Sequence, residues 1–212
     1  PGSSSAESSA GPAASTPGGR LLGLDCEMVQ TAKGFELARA TLVDERRHVL
    51  LDEHVRPMNR VTDHMTKWSG ITAETLAACS VRIEQVQVAM LRLVRSNDIL
   101  VGHSLENDLR ALKMVHRRCI DTSLLYPHHR PPRKTALRVL VQTHLGRAIQ
   151  QESPDGHSSE QDAAAALELA QLKIRRGPHY GVDSRRVSVF ESVSQHNCAC
   201  YFVGDAMSCQ RY

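Results

Sequence analysis

Apolar and polar positions fall into blocks that predict a sheet with helices packed on it. Residues 21–29 form an apolar run broken only by Asp25 and Glu27, the signature of a buried strand. Residues 36–43 and 48–55 read as two more strands. Asp44-Glu-Arg-Arg47 is the turn between them, and Pro57 ends the third strand, so an antiparallel meander is expected. Ser69-Gly-Ile-Thr72 reads as a loop in which Thr72 and Glu74 are placed to cap a short helix. Ile83, Val86, Met90, Leu91 and Val94 recur at helical spacing. Residues 99–101 read as a buried strand, 105–115 as a helix with Ser104 as N-cap, and 119–121 as a short strand. Helices with Leu/Val and Ala/Leu faces follow at 135–145 and 159–175, and Gly177-Pro178 stops the last. This order predicts an α/β sheet with an antiparallel and a parallel part.

The flanks lack such patterning. Residues 1–20 are almost all Ser, Ala, Gly and Pro, which cannot bury enough surface to offset ordering, so a disordered linker is expected there. Helix and strand periodicities both fade in 179–212, for which the sequence offers no physical account. The expected organisation is a linker at 1–20, one domain at 21–178 and a tail at 179–212. A chain that opens on Pro rather than Met is expected to be a fragment of something longer.

The apolar fraction of 41% and charged fraction of 23% suffice for a core without staples. The six cysteines read as reduced thiols of an intracellular protein. No apolar run approaches the roughly 20 residues that span a bilayer, and no secretory signal opens the chain, so no membrane partner is expected. The net charge of +3 points only weakly to nucleic acid, because an acidic metal site would hide an equal number of basic groups.

The chemistry lies in three segments. Asp25 and Glu27 are two apart on a strand and share one face, while Cys26 faces the other layer. Two unpaired carboxylates in an apolar strand cost on the order of several kcal/mol to desolvate, a penalty that a divalent cation removes. All-oxygen ligands favour Mg²⁺ or Mn²⁺ over zinc. The competing reading is an edge strand with both acids solvated. Asp108 lies in the first turns of a helix after a strand, where α/β sheets place ligands; an acid favoured by the helix dipole would look the same. His157 precedes the last helix and Asp162 lies in its first turns. Histidine titrates near neutrality and suits a general base, although one of eleven histidines in a Gly-His-Ser loop is ordinarily a solvated residue. In combination the segments read as a two-metal site for phosphodiester hydrolysis with a histidine base.

The strand acid pair, the helix acid and His-x4-Asp, in this order, resemble the DEDDh class of 3′–5′ exonucleases. Leu24-Asp-Cys-Glu-Met28, Ser69-Gly-Ile-Thr72, Val101-Gly-His-Ser-Leu105, Leu109-Arg-Ala-Leu112 and Ile120-Asp-Thr122 resemble, more narrowly, the eukaryotic Rex-type RNA exonucleases. The resemblance covers residues 21–178. It implies a ribonuclease H-like fold, α/β, with a mixed five-stranded sheet flanked by helices. It implies that Asp25, Glu27, Asp108 and Asp162 hold two Mg²⁺ (or Mn²⁺) ions and that His157 takes the proton of the attacking water. The implied partner is a single-stranded 3′ end of RNA, shortened to nucleoside 5′-monophosphates. DNA, short oligonucleotides, or a non-catalytic RNA-binding scaffold of the same fold are the alternatives. A ribonuclease H-like endonuclease fits the His-x4-Asp ending poorly. A nuclear or nucleolar location is expected from the resemblance alone.

By the same resemblance, Met28 and Val29 pack against the terminal base or ribose, and Ile71 and Thr72 shape that pocket; ordinary core packing is the alternative. His103 either orients the helix of Asp108 or satisfies a backbone carbonyl. Arg130, Arg133 and Lys134 are the first choices to hold the upstream strand by counterion release, unless they form a solvated loop. Aromatics make up 4% of the chain, with Trp68 the single tryptophan, so stacking platforms are few and low sequence specificity is expected. His196-Asn-Cys-Ala-Cys200, with Cys209, has poor spacing for zinc.

Overall fold

The computed structural model describes residues 19–128, 130, 132–151 and 156–182. Along the chain run β1 (Leu21–Thr31), β2 (Gly34–Val43), β3 (Val49–His54), β4 (Val61–Asp63), α1 (Thr66–Ser69), α2 (Ala73–Ala78), α3 (Ile83–Leu93), β5 (Ile99–Gly102), α4 (Glu106–Ala111), β6 (Cys119–Asp121), α5 (Thr122–Leu125), α6 (Leu137–Leu145) and α7 (Ser159–Arg176). Hydrogen-bonded neighbours run β3-β2-β1-β5-β6. The first three strands are antiparallel, and β5 and β6 join in parallel. No helix among the described residues is long and apolar enough to cross a membrane.

The sheet has six strands rather than the five expected. The sixth, β4, pairs off the end of β1 through Gln30↔Asp63 and Thr31↔Val61. Three residues with one partly buried side chain carry no alternation to read. Two single-turn helices, α1 and α5, also lack a sequence period. The helix expected at 105–115 is shorter. Ser104 does not cap it: Ser104 has φ +60° and donates its N–H to Asp121 Oδ1 at 2.8 Å. Thr72 does cap α2, accepting from the Thr75 N–H.

Both faces of the sheet are covered. Leu22, Leu24, Cys26, Leu42 and Leu100 pack with Val86, Met90 and Leu112 under α3 and α4. On the other face Val43 and Val101 meet Ala163, Leu167 and Ala170 of α7. The alanines of α7 let its backbone approach the sheet, and Gly23 completes the fit. A Cβ there would stand 2.6 Å from the Ala163 carbonyl oxygen and 2.8 Å from Val43 Cγ2. This contact brings the first turn of α7 against the middle of β1.

The folded unit extends past its expected ends. Arg20 pairs with buried Asp98 at 2.6 Å and donates its main-chain N–H to the same carboxylate. Burial pushes Asp98 up, but these donors outweigh it and bring its pKa to about 2. At the other end Tyr180 stacks edge-on against Tyr126 and His144. Residues 1–18 and 183–212, with the His196–Cys200 motif and Cys209, lie outside the described residues.

Gly23→Ala should lower stability by roughly 1–3 kcal/mol, the scale of an overpacked core, because α7 must lift off β1. Denaturant titration measures this, and an unchanged midpoint would show that the helix can shift without loss.

Candidate active site

β1 outruns its parallel neighbour. Pairing with β5 ends at Gly23↔Val101 and β4 joins that edge only at Gln30 and Thr31, which leaves the stretch between them without a strand. Asp108 fills the gap: its Oδ1 accepts the Cys26 N–H at 2.8 Å, so a main-chain bond fixes the helix acid beside the strand pair. Cys26 points into the α3/α4 layer. Asp25 faces α7, where its Oδ2 accepts from the buried Ser159 hydroxyl at 2.7 Å. Glu27 pairs in register with Arg39 of β2, and Arg39 is clamped by Asp52 at 2.7 and 2.8 Å. Ala38 of β2 is the extra residue of a β-bulge next to this pair, so the pairing register shifts between Glu27 and Met28. Asp162 enters from the first turn of α7. Its Oδ2 accepts from Gln150 Nε2 at 2.7 Å, while its buried Oδ1 has no hydrogen-bond partner among the described residues.

The four carboxylates form one electrostatic unit. Asp25 and Glu27 keep some contact with solvent, yet enough protein surrounds them that desolvation dominates. Burial pushes Asp25 up to about 6, against the Ser159 hydroxyl and Arg39. Burial, then Asp25 and Asp162, push Glu27 up to about 8. Asp162 rises to about 7 through burial and Asp25. Asp108 rises well above the usual range, from burial and again Asp25. A proton or a cation relieves such a cluster. The oxygen-only donors and the orphaned Asp162 Oδ1 fit a hard divalent ion. Among the described residues no three His, Cys, Asp or Glu side chains close around a single ion. An ion bound here would keep water and substrate oxygens among its ligands.

His157 stands on the loop before α7, with its N–H donated to the Trp68 carbonyl at 2.9 Å. Burial and Arg138 push its pKa below 6.5, so the neutral imidazole prevails at pH 7. It lines a cavity of about 550 Å³ with Arg39 and Gln150, the partners of Glu27 and Asp162. A second cavity of about 530 Å³ is lined by Glu27 itself with Met28, Phe35, Trp68, Asn107 and Arg110.

The remaining expectations divide. Met28 reaches the second cavity, but Val29 and Ile71 are 0% and 1% exposed and pack with Ala38 and Leu76. They offer no surface to a base. Thr72 is spent capping α2. His103 takes the second expected role, donating to the Thr135 main-chain carbonyl, and its Nδ1 also bonds the Thr122 hydroxyl at 2.9 Å, which in turn donates to the Gly102 carbonyl. Lys134 is ion-paired with Glu106 and lies 3.9 Å from Asp121, so it ties its loop to α4 instead of standing free. Arg130 and Arg133 are exposed beyond it. Ser159, Gln150 and Arg39 escaped the sequence reading because each acts through a partner distant in the chain.

Residues 22–170 match the family described as exonuclease. The chain belongs to this exonuclease family. It is 41% identical over 178 residues to an uncharacterised exonuclease of Schizosaccharomyces pombe, covering 83% of the chain and 28% of that protein. Identity to the human RNA exonuclease 1 homolog is 45% over 156 residues, covering 73% and 13%. Identity to RNA exonuclease 1 of Saccharomyces cerevisiae is 35% over 191 residues, covering 89% and 34%. The chain thus spans about a third or less of these relatives. Among solved structures, the Neurospora crassa Pan2 catalytic unit superposes with a TM-score of 0.68 at 25% identity, over 80% of the chain and 30% of that one. The Saccharomyces cerevisiae Pan2 exonuclease module in complex with AAGGAA RNA gives 0.67 at 25%, over 84% and 32%. The exonuclease domain is therefore ribonuclease H-like, and the Rex-type resemblance holds.

Glu27 gives the domain a testable pH signature. Its folded pKa is raised above the ordinary 4.5, so ionisation destabilises the metal-free fold increasingly from there up to about pH 8. Glu27→Gln should raise the melting temperature in EDTA at pH 8, and the gain should fade as pH falls toward 5. A gain that is constant with pH would mean the carboxylate is not strained.

Proposed function

We propose that the chain is a 3′–5′ exoribonuclease that releases nucleoside 5′-monophosphates by two-metal hydrolysis. The observation that carries this reading is the cluster of Asp25, Glu27, Asp108 and Asp162, all raised by burial and the last three also by the charge of Asp25, with a buried Asp162 oxygen that has no partner among the described residues. These four would hold two Mg²⁺ or Mn²⁺ ions. When bound, such ions supply charge stabilisation and lower the pKa of an attacking water. Ser159 and Gln150 hold Asp25 and Asp162 at fixed angles, so the ligands need little reorganisation. Neutral His157 accepts the proton of the attacking water on a ring nitrogen. The cavity beside Glu27 takes the terminal nucleotide, with its base on the apolar walls of Met28, Phe35 and Trp68 and its phosphate toward Arg110. RNA as the substrate is supported by relatives named RNA exonucleases and by a structural relative described with RNA bound. The 3′ polarity is supported by the DEDDh pattern.

Incubation of 5′-labelled single-stranded RNA and matching DNA with Mg²⁺, Mn²⁺ or EDTA should give a metal-dependent ladder that shortens stepwise from the 3′ end, faster on RNA. Asp108→Asn keeps an acceptor for the Cys26 N–H but loses a metal ligand. It should fold normally and slow turnover about a thousandfold or more, since metal charge stabilisation is worth several kcal/mol. Retained turnover in that variant would sink the assignment. Folded protein that binds RNA but cuts nothing would favour the scaffold reading.

A further inference from the structure

The loop of His157 is seated on α1, the element that also walls the nucleotide cavity. Besides the bond from the His157 N–H to the Trp68 carbonyl, the preceding residue makes a close backbone contact. Gly156 has φ +72°, and a Cβ built on it would stand 2.2 Å from the Gly70 nitrogen and 3.0 Å from the Thr66 carbonyl oxygen. Only glycine fits there. Gly70 is the C-cap of α1 and donates to that same Thr66 carbonyl. The turn is fixed from within by the Thr66 hydroxyl on the Ile71 carbonyl at 2.6 Å and the Ser69 hydroxyl on the His64 carbonyl at 2.8 Å. The Trp68 side chain lines the cavity beside Glu27 and is 53% exposed.

We infer that α1 couples filling of the terminal-nucleotide cavity to placement of His157. Trp68 serves both sides: its ring meets the terminal base, and its carbonyl seats the loop of the general base. Gly156 is the positioning residue that permits the seat. The inference rests on the exonuclease reading above and names the ligand that sets the seat, a 3′-terminal nucleotide with a base able to stack. An end lacking its base leaves α1 unbraced, so it slows the chemical step and does not merely weaken binding.

The test measures kcat and KM separately on single-stranded RNA with a normal or an abasic 3′-terminal residue. The full chain is compared with Gly156→Ala, His157→Ala and the double variant. The abasic end should lower the wild-type kcat about tenfold, the scale of one base–aromatic stack. In His157→Ala the same change should cost about twofold or less. Gly156→Ala should lower kcat about tenfold or more, within the range expected of a general base, with KM within about threefold. The double variant should be no slower than His157→Ala alone. An abasic penalty of equal size in wild type and His157→Ala, or a double variant slower than His157→Ala, overturns the coupling. If Gly156→Ala fails to fold by circular dichroism, the abasic comparison between wild type and His157→Ala decides alone. A wild type that releases no nucleotide in Mg²⁺ defeats the exonuclease reading itself, an outcome distinct from loss of coupling.

Discussion

Four carboxylates held together against their own repulsion are the constraint on which this molecule is built. Left alone they would drive β1, α4 and α7 apart. The sheet and its two helical layers must therefore supply enough apolar contact to hold the charges in place. That contact lies directly beneath the acids: Leu22, Leu24 and Cys26 on one face of β1, and Gly23 against Ala163 on the other. Stability is given up at the site and recovered next to it, as expected where function opposes packing.

Each acid also has a neutral or paired companion that fixes its direction without cancelling its charge. Ser159 serves Asp25, Gln150 serves Asp162 and the Cys26 main chain serves Asp108. Glu27 lies beside Arg39, whose own charge is largely engaged by Asp52. A direct carboxylate–guanidinium pair at any of these positions would have neutralised the acid. Hydroxyl, amide and main-chain donors orient an oxygen and leave its remaining lone pairs for a cation.

The three acid-bearing segments were legible because their pattern is local. The apolar run around Asp25 and Glu27, the apolar positions of α3 and the Ala/Leu face of α7 follow from periodicity alone, and α3 begins at Ile83, the first of its periodic positions. What failed was also local in cause. β4, α1 and α5 are three or four residues long and carry no period. Ser104 has the composition of a cap, but Asp121 takes its N–H and turns the chain through a positive φ. Val29 and Ile71 are buried against Ala38 and Leu76 in a small core of their own, a contact between separate segments that no local pattern shows.

The sequence by itself determined the acids, the histidine, the strands and helices that carry them and the family pattern they form. These depend on spacing within a few residues, where strand and helix geometry is fixed. Only the tertiary structure decided which side chains hold the acids in line, that Lys134 is engaged by Glu106, and that the His157 loop rests on α1. Those are contacts between residues 12 to 134 positions apart. They exist only once Gly23 and the alanines of α7 have let helix and sheet close to backbone distance, and no periodicity encodes that approach.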